Sequence, residues 1–219
     1  MPLTRTDSYL KDSLDVFRYY KTLAERAMAQ CTDAQLFECI DKESNCIAII
    51  VKHMAGNMRS RWRDFRTTDG EKPDRNRDTE FESPAATRAE LMEQWNAGWN
   101  WVFGALEPVS DGDLTKTIYI RGEAHSIMQA INRQVAHYSY HVGQIVFLAK
   151  HLCADSWTSL SVPRKQSAAF NADVASGKKS QRQNAQAFRQ LRRIFASVTL
   201  LPTRNYAACS RQRIGLRSH

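Results

Sequence analysis

The sequence predicts an all-α protein, a four-helix bundle with a long crossover loop and a short strand-like segment before its fourth helix. Three observations support this prediction. Four long segments repeat apolar residues at the helical intervals of three, four and seven. Each segment spans about 20 to 27 residues, and four amphipathic helices of that length can enclose one core. The composition, 42% hydrophobic and 25% charged, excludes a wholly disordered chain.

The first two predicted helices lie on either side of a short apolar turn at residues 36–40. The first has Asp7 as its N-cap and stops at about residues 31–33. Its apolar face consists of Leu10, Leu14, Phe17, Ala24 and Met28. The second begins near Ser44 or Asn45 and runs to about Phe65. Its apolar face consists of Ile47, Ile50, Met54, Met58 and Phe65.

The third and fourth predicted helices flank a short strand at residues 117–120, where apolar and polar residues alternate. The third helix follows Ser83-Pro84, a cap with proline at the first helical position, and ends before Pro108. Its apolar face consists of Leu91, Trp95, Trp99, Val102 and Leu106. The fourth helix begins near Ser126 and runs to about Leu152. Its inward face consists of Ile127, Ala130, Ile131, Gln134, Tyr138, Ile145 and Leu148.

The link between the second and third helices is unusually long. Residues 67–83 number 17, nine of them charged, whereas loops in helical bundles have roughly two to eight residues. This segment either crosses the bundle as a solvated loop or closes over a functional site. Its candidate functional residues are Glu71, Arg75, Arg77, Asp78 and Glu80.

The positive charge of the chain lies in its C-terminal part. The whole sequence carries a net charge of +8, but residues 160–219 contain 12 basic residues and one acidic residue, Asp173. Residues 1–159 are therefore mildly acidic, with 19 basic and 22 acidic residues. A basic amphipathic helix over 180–198 could bind nucleic acid or an anionic surface, or 172–219 could be a disordered extension. We expect two parts, a bundle over 1–171 and this basic extension over 172–219.

The cysteines and the N-terminus favour a cytoplasmic protein. The five cysteines are odd in number and include no CxxC motif, which argues against a disulfide framework or a cysteine zinc site. The first 15 residues contain several charged residues and no secretory apolar segment. No apolar run approaches the roughly 18 residues that span a bilayer.

Two histidines on the fourth helix form the strongest chemical signal. His137 and His141 are four residues apart, so they lie one turn apart on the same face, roughly 5–6 Å between Cβ atoms. Both lie within the apolar stripe. Two imidazoles so placed can bind one metal ion, or they can be hydrogen-bonded core histidines. His53 on the second helix also faces inward, and three neutral nitrogens would form a metal site with an open position.

The residues near these histidines argue against two known kinds of metal site and offer candidates for contact with a ligand. The interval between His137 and His141 lacks the glutamate of the HExxH motif of zinc peptidases, and no glutamate lies three residues before any of the three histidines. Asn57 and Arg61 continue the His53 face, and Gln134 precedes His137 by one turn. These three residues either contact substrate or orient a ligand, or they are ordinary polar residues of the bundle.

These residues resemble the DinB-like superfamily, also called YfiT-like metal-dependent hydrolases, in its pattern of one histidine on helix two and HxxxH on helix four. Within it the chain is similar to an uncharacterised bacterial branch, the domain of unknown function 1572. The resemblance covers about residues 7–171, and after about Asn171 the sequence departs from the branch. It rests on NCIAIIVKHMAGN at 45–57, SRWRDF at 60–65, DGEK at 69–72, RQVAHYSYHVGQI at 133–145 and WTSLSVPR at 157–164.

The resemblance implies a DinB-like four-helix bundle in which His53, His137 and His141 bind a divalent ion. Zinc or nickel is the first expectation, with iron or manganese as alternatives. Relatives elsewhere in the superfamily transfer low-molecular-weight thiols, and many dimerise through bundle faces, so a homodimer is also expected. Cys46 stands where this branch has serine.

Three functions remain open from the sequence. The first is a metal-dependent transferase or hydrolase that acts on a small molecule, through a nucleophile that the metal activates. The second is a non-catalytic metal-binding or sensor module. The third is association with nucleic acid or an anionic surface through the basic tail.

Overall fold

The protein is mostly helical. The computed structural model describes residues 6–82 and 84–179, and these contain six α-helices and one two-stranded sheet. The elements are α1 (Tyr9–Met28), α2 (Asp33–Phe37), α3 (Ile47–Trp62), α4 (Arg88–Leu106), β1 (Thr117–Ile120), β2 (Glu123–Ser126), α5 (Ile127–Cys153) and α6 (Ser167–Ala175). Short 3₁₀ turns lie at Asp78–Phe81, Asp111–Asp113 and Ala154–Ser156. Helices α1, α3, α4 and α5 correspond to the four long helices that the sequence predicts.

Several helix ends differ from the prediction. Helix α3 runs from Ile47 to Trp62, rather than from near Ser44 or Asn45 to about Phe65. The N-cap of α1 is Ser8 rather than Asp7, and its side chain accepts a hydrogen bond from the Lys11 amide. Helix α4 begins at Arg88, so the prediction of a start at Ser83-Pro84 was wrong; Ser83 itself lies outside the described residues. Thr87 caps α4 instead: its hydroxyl accepts a hydrogen bond from the Glu90 amide, and the Glu90 carboxylate accepts one from the Ala86 amide.

The hairpin before α5 confirms the predicted strand and adds a second one. Strands β1 and β2 pair in antiparallel register, with Ile120 opposite Glu123. The two residues between them, Arg121 and Gly122, have φ values of 58° and 76°. Two consecutive positive φ angles are typical of the tight turn that suits the twist of a hairpin, and glycine adopts them without strain. Ser126 then caps α5 in a capping box with Gln129.

The core lies between the long helices. Helix α3 packs on α4, helix α1 packs on α5, and α3 also contacts α5. Aromatic side chains fill its centre: Phe17, Trp62, Trp95, Trp99 and Tyr138. The Trp62 indole donates a hydrogen bond of 3.1 Å to the Tyr138 hydroxyl, so the polar atoms of this buried pair satisfy each other.

The long link after α3 is anchored to the rest of the protein rather than solvated along its length. The Asp69 carboxylate accepts hydrogen bonds from the backbone amides of Arg121 and Gly122, at 2.8 and 2.7 Å. The Gly70 amide donates to the Tyr119 carbonyl oxygen, also at 2.7 Å. Further along, Glu80 is buried beside α3. The link therefore carries specific side chains into the interior.

The C-terminal part of the prediction is only partly covered. Helix α6 spans the proposed boundary between residues 171 and 172, and the division into two parts stays a prediction. The predicted amphipathic helix over 180–198 lies outside the described residues. Within the described ranges, none of the helices combines the length and apolar character needed to cross a bilayer.

Candidate metal centre

Three histidines from two helices meet at one point. His53 on α3 is buried, and His137 and His141 on α5 are half-buried. The Nε2 atom of His137 lies 3.4 Å from Nε2 of His53 and 3.1 Å from Nε2 of His141. Of the residues that the structure describes, these three have candidate ligand atoms that all lie within 4.8 Å of one another. They could hold a metal ion.

The spacing of the nitrogens fits a small divalent cation. A tetrahedral ion with metal–nitrogen bonds of about 2.0–2.1 Å holds neighbouring nitrogens about 3.3 Å apart. Two of the three separations, 3.4 and 3.1 Å, lie on either side of that value, and all three candidate ligand atoms lie within 4.8 Å of one another. The donor set, three imidazoles, suits zinc, nickel, iron or copper better than calcium or magnesium.

Two polar side chains orient His53 and His141, the outer two of the three histidines. The Nδ1 atom of His53 lies 2.9 Å from Oε2 of Glu80, and Nδ1 of His141 lies 2.8 Å from Oε1 of Gln144. Each oxygen is an acceptor, so each Nδ1 carries the proton and each Nε2 presents a lone pair to the centre. A carboxylate or amide behind a ligating histidine is the usual support of a metal site.

The Glu80 carboxylate is itself held from two sides. Arg75 donates to both of its oxygens, at 2.8 and 2.9 Å. Burial raises the pKa of Glu80, but the hydrogen bonds from His53 and Arg75 outweigh burial and hold the pKa below its ordinary value. Glu80 is therefore ionised at neutral pH and accepts a hydrogen bond from the Nδ1–H group of His53.

Gly56 makes room for this carboxylate. It lies in α3 three residues after His53. A Cβ atom at this position would overlap Oε1 of Glu80 and would lie 2.7 Å from its Cδ atom. Any side chain here would push Glu80 away from His53. Gly56 thus belongs to the site although it carries no chemistry of its own.

The histidines on α5 are neutral. Burial, together with the positive charge that His141 and His53 can carry, lowers the pKa of His137 to about 3. Burial also lowers the pKa of His141, against the opposing effect of its hydrogen bond to Gln144. Neutral imidazoles keep their lone pairs, so the site is ready to bind a cation without first losing protons.

The histidine site opens into a cleft of about 500 Å³. The three residues that the sequence places beside the histidines, Asn57, Arg61 and Gln134, all line this cleft. Each is at most 6% exposed, and each has a buried atom without a hydrogen-bond partner among the described residues: Asn57 Oδ1, Arg61 Nε and Gln134 Oε1. Unpaired buried polar atoms are costly, so atoms of this kind at a cleft wall are candidates to contact a ligand.

Sequence reasoning missed how the outer histidines are supported. The sequence marks Glu80 only as one charged residue of the long loop, and it does not single out Gln144 or Gly56. Gln144 was accessible to sequence reasoning, because a residue three positions after His141 on a helix lies beside that ring. No sequence signal pairs Glu80 with His53, since they are 27 residues apart and joined by an irregular segment.

Comparison with known proteins identifies a family but no activity. A family model described as "Protein of unknown function (DUF1572)" matches residues 4–166, which is most of the chain. No curated protein matches the chain, and no solved structure matches it.

Proposed function

The chain belongs to the DUF1572 family, and on that premise we propose that it is a metal-dependent transferase or hydrolase acting on a small molecule. The observation that carries the proposal is the convergence of the Nε2 atoms of His53, His137 and His141 beside a cleft. We further propose that α1, α3, α4 and α5 form the DinB-like four-helix bundle to which the sequence is similar. In that bundle the metal is zinc or nickel, with iron or manganese as alternatives.

A divalent ion in this site would supply a nucleophile near neutral pH, because it lowers the pKa of a water or thiol that binds it. The protein's own residues orient the ligands. Glu80 and Gln144 hold the Nδ1 protons of His53 and His141, which keeps both Nε2 lone pairs directed at the centre. Asn57, Arg61 and Gln134 face the substrate from the cleft wall. Transfer of a low-molecular-weight thiol is the first reaction to test.

Catalysis is favoured over a closed metal-binding or sensor module by the way the nearest carboxylate is used. A closed site needs a fourth protein ligand. Glu80 is the acidic residue in contact with the histidines, and it binds His53 at Nδ1, away from the convergent Nε2 atoms. Its oxygens are also held by Arg75. It therefore acts behind His53, and the centre keeps a position for a substrate atom.

The first experiment measures metal content and affinity. Purified full-length protein is compared with His53→Ala and His137→Ala by elemental analysis and by competition with a chromophoric chelator. The control is His151→Ala, which removes an exposed histidine from the same helix as His137. Dividing the roughly 10–16 kcal/mol of a structural zinc site among four ligands gives about 3 kcal/mol each, so each site variant should bind zinc more than about a hundredfold more weakly. Equal zinc affinity in all four proteins would refute the metal site.

The second experiment tests turnover. Thiol transfer to electrophiles and hydrolysis of esters and amides are assayed with zinc, nickel, manganese or iron supplied. Metal-stimulated turnover that is lost in His137→Ala and retained in His151→Ala would support an enzyme. Metal binding without turnover across this panel would instead favour the non-catalytic module, and metal-dependent melting would then be its main property.

A further inference from the structure

The cleft beside the histidines is lined by positive charge. Five arginines border it: Arg61, Arg75, Arg77, Arg121 and Arg133. No carboxylate belongs to its wall in the part of the chain that the structure describes. This is unexpected for residues 1–159, which are acidic in sum. The arginines are concentrated at one place, and a cleft lined by one sign of charge attracts ligands of the opposite sign.

Acidic residues that contact these arginines without lining the cleft neutralise only part of this positive charge. Arg75 is paired with Glu80 through both carboxylate oxygens. Arg61 and Arg121 share the single carboxylate of Glu71, at 3.1 and 3.0 Å, and Arg75 also contacts that carboxylate, at 3.4 Å. Two acidic residues thus face three arginines, which leaves one positive charge uncompensated.

The remaining two arginines have no acidic partner among the described residues. Arg133 lies on α5 one turn before His137, so both side chains start from the same face of the helix. The guanidinium of Arg77 stacks over the Phe81 ring, at 4.9 Å from its centroid, and that ring stacks on His53 at 4.7 Å. Arg77 thus lies on the His53 side of the histidine centre and Arg133 on the α5 side, each without an acidic partner among the described residues.

Buried polar atoms of the wall also lack partners. Arg61 is 6% exposed, and its Nε donor makes no hydrogen bond within the described chain. The acceptor atoms Asn57 Oδ1 and Gln134 Oε1 also make no hydrogen bond within the described chain. A guanidinium that is buried with a free donor costs free energy unless a ligand accepts from it. The wall is thus suited to a ligand that has anionic oxygens and also a hydrogen-bond donor.

We propose that the substrate of this site is a small anion, a molecule bearing a phosphate or carboxylate group, which Arg77 and Arg133 bind while its reacting atom lies against the three histidines. The inference rests on the proposed function only for that last part, because anion binding itself does not require the metal. Arginine suits this task, since its planar fork donates two parallel hydrogen bonds to either oxyanion.

The test measures anion affinity in full-length protein. Inorganic phosphate and malonate, which represent the two oxyanion types, are titrated by calorimetry into wild type, Arg77→Gln and Arg133→Gln, and the zinc content of each protein is recorded. Lys150→Gln is the matched control, because it removes one positive charge from the exposed side of the same helix as Arg133. Each arginine variant should bind the preferred anion about tenfold more weakly, as expected for loss of a charge-assisted hydrogen bond. The control should stay within about twofold, as expected for a distant screened charge.

The outcomes separate this inference from the metal proposal. Arginine-dependent binding of either anion supports the inference, and the anion that binds more tightly identifies the group on the substrate. Equal affinity in wild type, Arg77→Gln and Arg133→Gln overturns it, as does a wild type that binds neither anion, even where zinc is bound normally. A protein that binds no zinc but binds anions through these arginines refutes the metal centre alone.

Discussion

Helix α3 packs against different surroundings on its two faces, and a glycine makes room at each of them. Towards α4 the face is apolar, and Gly98 of α4 lets the helices approach so closely that a Cβ there would lie 3.0 Å from the Ala55 Cα atom. Towards the long link the face is polar, and Gly56 provides the space for the Glu80 carboxylate. One glycine allows apolar packing, and the other allows a charged group to reach a histidine.

The two faces of α3 contribute differently to the stability of the fold. Apolar contact between α3 and α4 stabilises the fold through burial. The polar face buries charged groups such as Arg61 and Glu80, whose desolvation cancels much of their mutual attraction. A fold selected for stability alone would gain little from this arrangement. We therefore expect variants of the two faces to divide into those that change metal affinity and those that change the free energy of unfolding.

Among variants of these two faces, the largest effect is expected for Glu80→Gln. The variant keeps an acceptor for His53 but removes the negative charge, and it leaves Arg75 with a weaker partner. Loss of such support typically lowers metal affinity by about 10–100-fold. Competition with a chromophoric chelator measures it. Asp74→Asn is the matched control, because Asp74 lies on the same link and pairs with Arg59 and Arg63 instead. Equal zinc affinity in both variants would contradict the role of Glu80.

Gly98→Ala tests the apolar face. The added methyl group would lie 3.0 Å from both the Ala55 Cα atom and the Met58 sulfur, so the backbone of α3 and the Met58 side chain must give way to admit it. Overpacking of this kind costs about 1–3 kcal/mol, which exceeds the gain in helix propensity. Urea unfolding of the metal-free protein measures the change. A Gly98→Ala protein that unfolds normally but has lost zinc affinity would contradict the division between the two faces.

Gly56→Ala should instead lower zinc affinity and leave the free energy of unfolding nearly unchanged. The methyl group displaces the Glu80 carboxylate from His53, so zinc affinity should fall by about tenfold, the lower end of the range for loss of an outer hydrogen bond. Combination with Glu80→Gln should add little, because both changes act on the same contact. The chelator competition assay on single and double variants measures this. Additive losses would show that Gly56 acts by another route.

The smallest effect is expected for Gly104→Ala, which serves as the reference for both faces. A Cβ at this position in α4 meets nothing within 4 Å. The unfolding free energy should therefore rise by at most about 0.5–1 kcal/mol, the difference in helical preference between glycine and alanine. Zinc affinity should not change. A loss of stability on urea unfolding would indicate that the space beside Gly104 is used by a partner.

Some features of the chain were already decided by local sequence. Apolar spacing predicts the four long helices, and the hairpin strand follows from the alternation at 117–120. The inward positions of His53, His137 and His141 follow from the same periodicity, because a helix repeats its faces every 3.6 residues. The start of α4 differs from the prediction because two cap-type residues, Ser83 and Thr87, compete locally, and it is Thr87 that accepts the hydrogen bond from the Glu90 amide.

What only the tertiary structure decided is how distant segments meet. Helical periodicity states which face a side chain occupies, but it carries no information about which segment will cover that face. The irregular link after α3 brings Glu80, held by Arg75, to His53, and the packing of α3 against α5 sets the Nε2 atoms of His53 and His137 3.4 Å apart. The same folding gathers five arginines around one cleft in a mildly acidic body. These contacts join residues far apart in the chain, so the chain pattern predicts the ligands while the folded structure determines their support and their surroundings.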